Sequence, residues 1–250
     1  MRQFFVFVFS LVLLFSGVTA SASEQCSSLF LVQNWEVSSR VRKNKFVTNR
    51  DLYEYREVLH TDFMNSLSKL TPDQHWVDLG AGKANAQIDY IKSFSNPLSA
   101  AQATGVAYKL DRWFSPPKFD GKLQIKEGAF EQQPTATWKK ADLVTDVFGV
   151  ISYTHDLHTS LQKVFDLMNV KGELYIFTTN YHTSIKVGEK KSLSLMDFLA
   201  TIEGIHVEGR YGTIKITKEI ENVIVPSFEL VKYVDDAPPS RTYIRSDLVH

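Results

Sequence analysis

The sequence has a single cysteine among its 250 residues, and this residue, Cys26, lies near the N-terminus. One cysteine forms no disulfide within its own chain and builds no cysteine-rich zinc site. The sequence also contains neither the Gly-x-Ser-x-Gly motif of serine hydrolases nor the Gly-x-x-x-x-Gly-Lys motif of P-loop proteins. These absences exclude a disulfide-stapled fold and give no support to a hydrolase or P-loop function.

An excess of charge is also lacking. The 28 Lys and Arg residues balance 28 Asp and Glu residues, so the formal net charge is zero. A protein that binds nucleic acid through its overall charge is basic, and we therefore expect no bulk nucleic-acid binding. Apolar types make up 44% of the chain and charged types 22%, which is ordinary globular usage and excludes a disordered or collagen-like chain.

One long hydrophobic run is present, in residues 1–22. Arg2 gives a positive start, residues 4–15 are almost wholly apolar, and Ala20-Ser21-Ala22 is a small-residue cleavage pattern. Together they predict a secretory signal peptide, and hence a periplasmic or secreted protein. Two alternatives are an uncleaved membrane anchor through residues 4–22, which would bring the chain to a membrane, and a buried helix of the fold.

Residues 23–47 are polar, include the basic run at residues 40–45, and show no sustained period. We interpret them as a solvated linker rather than a contact with nucleic acid or membrane. Residues 48–250 are predicted to form the single structured domain.

Hydrophobic spacing in this domain switches between helical and extended periods. It predicts a helix over 49–70 that Thr48 or Asn49 caps, a strand over 75–79, and a helix that ends at Asn96-Pro97. Further strands are predicted over 104–108, 123–127, 141–148, 173–179, 213–220 and 227–234, and further helices over 157–168 and 192–202. Strands that alternate with helices indicate an α/β fold with a mostly parallel sheet.

The segment WVDLGAGKANAQIDYI places an acid, Asp78, at the end of a strand and Gly80-x-Gly82 directly before a helix. Glycines let the backbone approach a ligand closely, and the N–H groups at a helix start bind polar or anionic groups. The pattern therefore indicates a nucleotide-binding turn, although Gly-x-Gly alone is also used for tight turns.

This segment resembles motif I of the class I S-adenosylmethionine-dependent methyltransferases. The segments ADLVTDVFGVISYTHDL and LQKVFDLMNVKGELYIFTT are similar to the family's fourth strand, following helix and fifth strand. The resemblance covers roughly residues 50–235. It implies a Rossmann-like, mostly parallel seven-stranded sheet with helices on both faces and a C-terminal antiparallel strand pair.

The resemblance also implies the site. It gives S-adenosylmethionine as the cofactor, and it implies that the contacts are made by Asp78, Gly80, Ala81, Gly82, Asp111, Phe130 and Asp146. Two positions depart from the family: Ala107 stands where the second strand usually ends in an acid, and Ala129 where an acid often meets the adenine amine. Each missing charge-assisted hydrogen bond would weaken binding by about one to two decades.

Methyl transfer to oxygen or nitrogen needs a base or an aligned lone pair beside the methyl group. The candidates for this role are Asp146, Tyr153 and His155, with His182 as a further one. His155 and His158 share a helical face, but no third ligand is identifiable, so we expect a capped helix start and no metal site.

The sequence therefore leaves two functions open. The first is methyl transfer from S-adenosylmethionine to a small-molecule or protein acceptor. The second is a non-catalytic exported binding or scaffold protein that keeps the fold, and Ala107, Ala129 and the predicted signal peptide favour it. The segment Lys232–Arg241, which contains Pro238-Pro239, is expected to be extended and to pack over the sheet edge or border the site.

Overall fold

The computed structural model describes most of the predicted domain. Its described residues are 49–110, 113–179, 182–188, 191–210, 212–235 and 238–246. The predicted signal peptide, the predicted linker and the candidate cofactor residue Asp111 lie outside them. No helix among the described residues is long and apolar enough to cross a membrane.

A seven-stranded sheet forms the centre of the described structure, with the strand order β3-β2-β1-β4-β5-β9-β8. Neighbouring strands from β3 to β5 are parallel, whereas β9 is antiparallel to both β5 and β8. The seven strands are β1 (His75–Leu79), β2 (Gln102–Ala107), β3 (Leu123–Glu127), β4 (Ala141–Val147), β5 (Met168–Phe177), β8 (Ile205–Arg210) and β9 (Thr213–Lys218).

Helices cover both faces of this sheet. They are α1 (Leu52–Val58), α2 (Phe63–Ser68), α3 (Asn85–Lys92), α4 (Val150–Tyr153), α5 (Leu157–Leu167) and α6 (Leu195–Leu199). One hydrophobic cluster joins α1–α3 to one face through side chains such as Phe63, Trp76 and Tyr90. A second cluster joins α5 and α6 to the other face through Leu161, Phe165 and other apolar residues. Parallel strands are expected to be covered in this way, since both of their faces are buried.

The order and directions of these strands are those of the class I methyltransferase fold, and they confirm the fold class predicted from the sequence. The order reverses between β1 and β4, because the chain runs outward from β1 to β3 and then returns to the other side of β1. In open α/β sheets, ligands bind at such a switch point, outside the carboxyl ends of the strands.

A second, four-stranded sheet has the order β10-β11-β6-β7. Its strands are β6 (Thr183–Lys186), β7 (Ser192–Ser194), β10 (Phe228–Val234) and β11 (Ser240–Arg245). Strand β11 runs parallel to β6 and antiparallel to β10. The second sheet thus joins the segment that follows β5 to the C-terminal part of the described chain.

Three local predictions were wrong. The predicted helix over 49–70 is two helices, separated at Leu59, which is extended but buried. The hydrophobic period continues across this break, because Tyr55, Leu59, Phe63 and Leu67 all enter the same cluster. The cap of α1 is Asp51, which forms a capping box with Glu54, and not Thr48 or Asn49.

The second error lies at residues 192–202, where a strand, β7, precedes the short helix α6. The third concerns only which strands form the predicted C-terminal antiparallel pair. The pair is present at the edge of the main sheet, but it consists of β8 and β9, whereas residues 228–234 form β10 of the second sheet. Strand β8 was not predicted, because its apolar alternation is limited to Ile205 and Val207 and most of this edge strand is exposed.

Candidate functional site

The turn after β1 is the first part of the candidate site. Gly80, Gly82 and Ala84 all have positive φ angles, of 95°, 54° and 56°. The N–H groups of Gly80 and Ala81 donate to the Val106 carbonyl of β2, each at 2.9 Å. Helix α3 then begins at Asn85 without a side-chain cap, since Ala84 is its N-cap residue. Its first N–H groups are therefore left for a ligand or for water.

The turn after β4 packs directly against the turn after β1. A Cβ at position 149 would lie 1.8 Å from the Leu79 carbonyl oxygen, so only glycine fits there. Asp146 holds this second turn, because its two carboxylate oxygens accept the N–H groups of Gly149 at 3.0 Å and Ile151 at 2.8 Å. Asp146 is fully buried, and the bonds to its carboxylate fix the start of α4.

Asp78, the second buried acid, binds hydroxyl groups instead. Its carboxylate accepts the Tyr55 hydroxyl of α1 at 2.8 Å and the Thr145 hydroxyl of β4 at 2.8 Å. The Trp76 indole N–H donates in turn to the Thr145 hydroxyl at 2.9 Å. Asp78 therefore joins α1, β1 and β4 in one buried network.

Burial shifts the titration of both acids. Loss of solvation raises the pKa of Asp78 to about 6, an effect that the bonds from Tyr55 and Thr145 and the charge of Arg50 partly oppose. Loss of solvation likewise raises the pKa of Asp146 to about 7, against the bonds from Ile151 and Gly149. Asp78 and Asp146 thus lie on the two strands that flank the switch point, and both are expected to titrate close to neutral pH.

Arg50 brings a cation to the same edge of the sheet. Its guanidinium donates to the Val147 carbonyl at 3.1 Å and lies over the Phe148 ring, 5.4 Å from the centroid. No described residue forms an ion pair with it. Phe148 in turn packs edge-on against Phe177 at the end of β5, with 5.0 Å between the ring centroids.

At the other side of the switch point, β2 ends in Ala107, which is buried. Glu127, the last residue of β3, is its register partner and is exposed. One Glu127 oxygen accepts the Leu110 N–H at 3.2 Å, which ties the loop after β2 to β3. The family resemblance predicts a carboxylate at the end of β2, but the structure has one, Glu127, at the end of the neighbouring strand β3.

The three candidate catalytic residues differ in what their polar atoms contact. Both oxygens of Asp146 are engaged by backbone N–H groups. Tyr153 is half-buried, and no described residue hydrogen-bonds its hydroxyl; burial raises its pKa, whereas the Arg50 charge lowers it. His155 is buried, and no described residue hydrogen-bonds either of its ring nitrogens. Burial and the Arg241 charge lower its pKa to about 4, so its ring is neutral at pH 7.

His155 and His158 both contact the second sheet. The His155 ring meets the Tyr233 ring edge-on at 4.4 Å, and His158 contacts Phe228 at 5.7 Å. Asp156 caps α5 by accepting the Thr159 N–H, as predicted for a capped helix start. Among the described residues, no group of three or more His, Cys, Asp or Glu side chains is arranged to hold a metal ion.

The remaining predicted residues lie in different surroundings. Phe130 is buried and packs near Trp138, 6.5 Å between centroids, within the core of the α5 face. His182 directly precedes β6 of the second sheet, and its ring bonds the Ser240 hydroxyl at 3.1 Å. The structure thus brings Asp78, Gly80, Ala81, Gly82, Asp146 and Tyr153 to the switch point. Their roles in binding and catalysis stay predictions.

Arg241 holds the second sheet next to this site. Its buried guanidinium donates to the Ile151 carbonyl at 2.7 Å, the Thr154 carbonyl at 2.6 Å and the Thr183 hydroxyl at 2.8 Å. These acceptors belong to the segment after β4 and to β6. The segment Lys232–Arg241, which was expected to be extended, supplies the end of β10 and the start of β11, and its residues 236 and 237 lie outside the described ones.

The contributions of four residues were not predicted from the sequence: Arg50, Tyr55, Glu127 and Arg241. Glu127 had a usable signal, because an acid that ends a predicted parallel strand lies at the ligand-binding edge. No sequence signal pointed to Arg50, Tyr55 or Arg241, because the partner of each residue is distant in the sequence. Tyr55 and Asp78, for example, are 23 positions apart, and Arg241 and Ile151 are 90.

No protein-family model and no curated protein matches the chain. Solved structures of methyltransferases are similar to it. A geranyl diphosphate methyltransferase in complex with GPP and sinefungin is 14% identical, with a TM-score of 0.34, over 45% of this chain and 41% of that one. The DszA carbon methyltransferase is 14% identical, with a TM-score of 0.43, over 65% of this chain and 52% of that one.

A third similar structure is the Burkholderia thailandensis 1,6-didemethyltoxoflavin-N1-methyltransferase with bound 1,6-didemethyltoxoflavin and S-adenosylhomocysteine. It is 12% identical, with a TM-score of 0.41, over 80% of this chain and 92% of that one. The chain spans about half the length of the first two proteins or less. The strand order and directions, and not these similarities, define the fold of the chain.

The Tyr55–Asp78 bond yields a stability prediction. The variant Tyr55→Phe leaves one buried Asp78 oxygen without its donor, and we expect the free energy of unfolding to fall by about 1–3 kcal/mol. Urea unfolding followed by circular dichroism measures the loss. Tyr53→Phe is the matched control, because Tyr53 lies on the same helix but is 65% exposed. Equal stabilities for the two variants would show that this bond contributes nothing.

The raised pKa of Asp78 yields a pH prediction. The folded pKa, about 6, exceeds the unfolded value of about 3.9, so the folded state binds the proton more tightly. This contribution to stability is complete below pH 4 and is lost as the pH rises through 6. Between pH 4 and 7.5 the wild type should lose about 2 kcal/mol relative to Asp78→Asn.

Unfolding curves at several pH values measure this difference. Asn is a suitable replacement because its amide still bonds the hydroxyls of Tyr55 and Thr145, each of which can donate or accept. Parallel pH profiles for the wild type and Asp78→Asn would contradict a raised Asp78 pKa.

Proposed function

We propose that this chain binds S-adenosylmethionine at the carboxyl edge between β1 and β4 and transfers its methyl group to an acceptor bound there. The observation that carries the proposal is the turn at residues 80–84. Three of its residues have positive φ, the helix after it starts without a side-chain cap, and the turn lies at the switch point of the sheet.

The described residues fit this cofactor in three respects. The Gly82 N–H and the first N–H groups of α3 suit the polar amino-acid part of the cofactor. Arg50 offers a guanidinium with no ion-pair partner among the described residues, which suits a carboxylate. Glu127 offers an exposed carboxylate beside Ala107, which suits ribose hydroxyls.

The chemistry that the cofactor supplies when bound is an electrophilic methyl group on a sulfonium ion. The protein must then align an acceptor atom with this methyl group and exclude water. Tyr153 suits contact with the acceptor, because it follows the β4 turn and its hydroxyl has no hydrogen bond to a described residue. The proposed acceptor is a small molecule or a protein.

A second candidate function is a non-catalytic binding or scaffold protein that keeps the fold. The observation in its favour is Ala107, which leaves the end of β2 without a carboxylate. The two candidates differ in one measurable property, since only the enzyme needs affinity for S-adenosylmethionine.

Calorimetric titration with S-adenosylmethionine and with S-adenosylhomocysteine tests the proposal. We expect saturable binding of both, and about tenfold weaker binding to the variants Arg50→Gln and Glu127→Gln, because each loses one charge-assisted hydrogen bond. No heat at millimolar ligand, from protein shown to be folded by circular dichroism, would reject the enzyme and favour the scaffold.

Matched variants separate a local effect from a general loss of charge. Arg56→Gln removes an exposed cation of α1, and Glu57→Gln removes its exposed acidic neighbour. Both should keep the wild-type affinity. Equal weakening by Arg50→Gln and Arg56→Gln would contradict a specific contact of Arg50 with the cofactor.

We also propose that residues 1–22 direct export and are removed, which would make the mature protein periplasmic or secreted. The support is the positive start, the apolar run and the small-residue pattern at 20–22. N-terminal sequencing of the mature protein should find Ser23 first. An intact Met1 on membrane-bound protein would instead favour an anchor through residues 4–22.

A further inference from the structure

One face of the main sheet lacks a covering helix over β2 and β3. The connection from β3 to β4, residues 128–140, contains only two single 3-10 turns, Phe130–Gln132 and Thr135–Thr137. On this face β3 presents Gln124 and Lys126, although the buried strands of such sheets are normally apolar. A polar sheet face is thus left open where a helix would otherwise lie.

A cavity of about 270 Å³ occupies this uncovered face. It lies toward the amino ends of β1 and β2 and runs along β3 as far as Lys126. Its volume is slightly below the usual range for small-molecule sites, roughly 300–1,000 Å³, and suits a ligand the size of one sugar ring. Its lining residues are His75, Gln102, Ala103, Thr104, Gly121, Gln124, Lys126, Gln133, Pro134, Thr137, Trp138 and Lys139.

The floor of the cavity is held rigidly. The buried His75 ring bonds the Lys139 carbonyl at 2.9 Å through Nδ1 and the Thr104 hydroxyl at 2.8 Å through Nε2. Both ring nitrogens are thus engaged, and His75 joins the starts of β1, β2 and β4. A preformed floor lowers the entropy lost when a ligand binds.

The lining carries positive charge that no acid in the cavity balances, since two lysines and no Asp or Glu line it. The Lys126 ammonium lies over the Trp138 ring, 5.9 Å from the centroid, and no described acid pairs with it. The ammonium of Lys139, by contrast, already bonds the Asp73 carbonyl. Lys126, which makes no hydrogen bond to a described residue, is therefore the less engaged of the two cations.

Neutral hydrogen-bonding groups and an aromatic wall complete the cavity. The carboxamides of Gln102 and Gln124 make no hydrogen bond with described residues, and a carboxamide offers both donors and acceptors, as sugar hydroxyls require. Trp138 is half-buried and provides an apolar wall. Amides beside an aromatic ring and one lysine fit a polyhydroxylated ring that bears one negative charge.

We propose that this cavity is a second ligand site, distinct from the proposed cofactor site, which binds a monosaccharide carrying a single phosphate or carboxylate group. Lys126 binds the anionic group, the carboxamides of Gln102 and Gln124 bind hydroxyls, and the sugar ring packs against Trp138. The site does not depend on methyl transfer, because none of its lining residues belongs to the switch point.

Titrations of isotope-labelled protein, followed by amide chemical shifts, test this site with glucose 6-phosphate, glucuronate, glucose and inorganic phosphate as probes. We expect saturable shifts for the two anionic sugars at residues 102–104, 124–126 and 137–139. Their affinities should exceed those of glucose and of phosphate by about tenfold, since each of these controls lacks one half of the contacts. Equal affinities for glucose 6-phosphate and phosphate would overturn the sugar assignment.

Variants test the residue assignment. Lys126→Gln should weaken binding of the anionic sugars about tenfold and leave glucose binding unchanged. Lys92→Gln, which removes an exposed lysine of α3 on the opposite face, should have no effect. Equal affinity for wild type and Lys126→Gln, or shifts at residues 80–84 instead of the cavity, would overturn the proposal. Loss of S-adenosylmethionine binding would reject the proposed function alone, since the two sites share no residue.

Discussion

The contact between the turns after β1 and β4 is the constraint on which the rest of the candidate site depends. The Gly149 backbone lies so close to the Leu79 carbonyl and to Gly80 that a side chain at either glycine would overlap the opposite turn. Asp146 maintains this contact through its bonds to Gly149 and Ile151. The positions of the Gly-x-Gly turn, of α4 and of Tyr153 all follow from this packing.

Two buried carboxylates support the switch point in different ways. Asp146 bonds backbone N–H groups and shapes a turn, whereas Asp78 bonds hydroxyls and joins three elements. Burial favours the protonated form of each acid, and the cations Arg50 and Arg241 oppose this effect on Asp78 and Asp146 respectively.

The surroundings of the sheet are asymmetric. Beside the segment after β4, the second sheet adds strands from both the middle and the C-terminal part of the chain, and the buried Arg241 fixes it there. Over β2 and β3, in contrast, the connection from β3 to β4 contains no α-helix that would cover the sheet, and a polar cavity remains there. The second sheet thus adds a layer beside the β4 turn, whereas β2 and β3 lack a covering helix. Both differences affect where ligands can bind.

The sequence by itself determined the local elements with a clear period and the class of fold. Strand β1, its glycine turn, α3 and α5 follow from apolar spacing and helix signals, and the sheet order followed from the family resemblance. Only the tertiary structure decided the pairing of β11 with β6, the break at Leu59, and the contacts of Tyr55, Arg50 and Arg241. The physical reason is that periodicity reports which side of an element is buried, whereas the partner of a buried polar group, or of an edge strand, is chosen by residues distant in the chain.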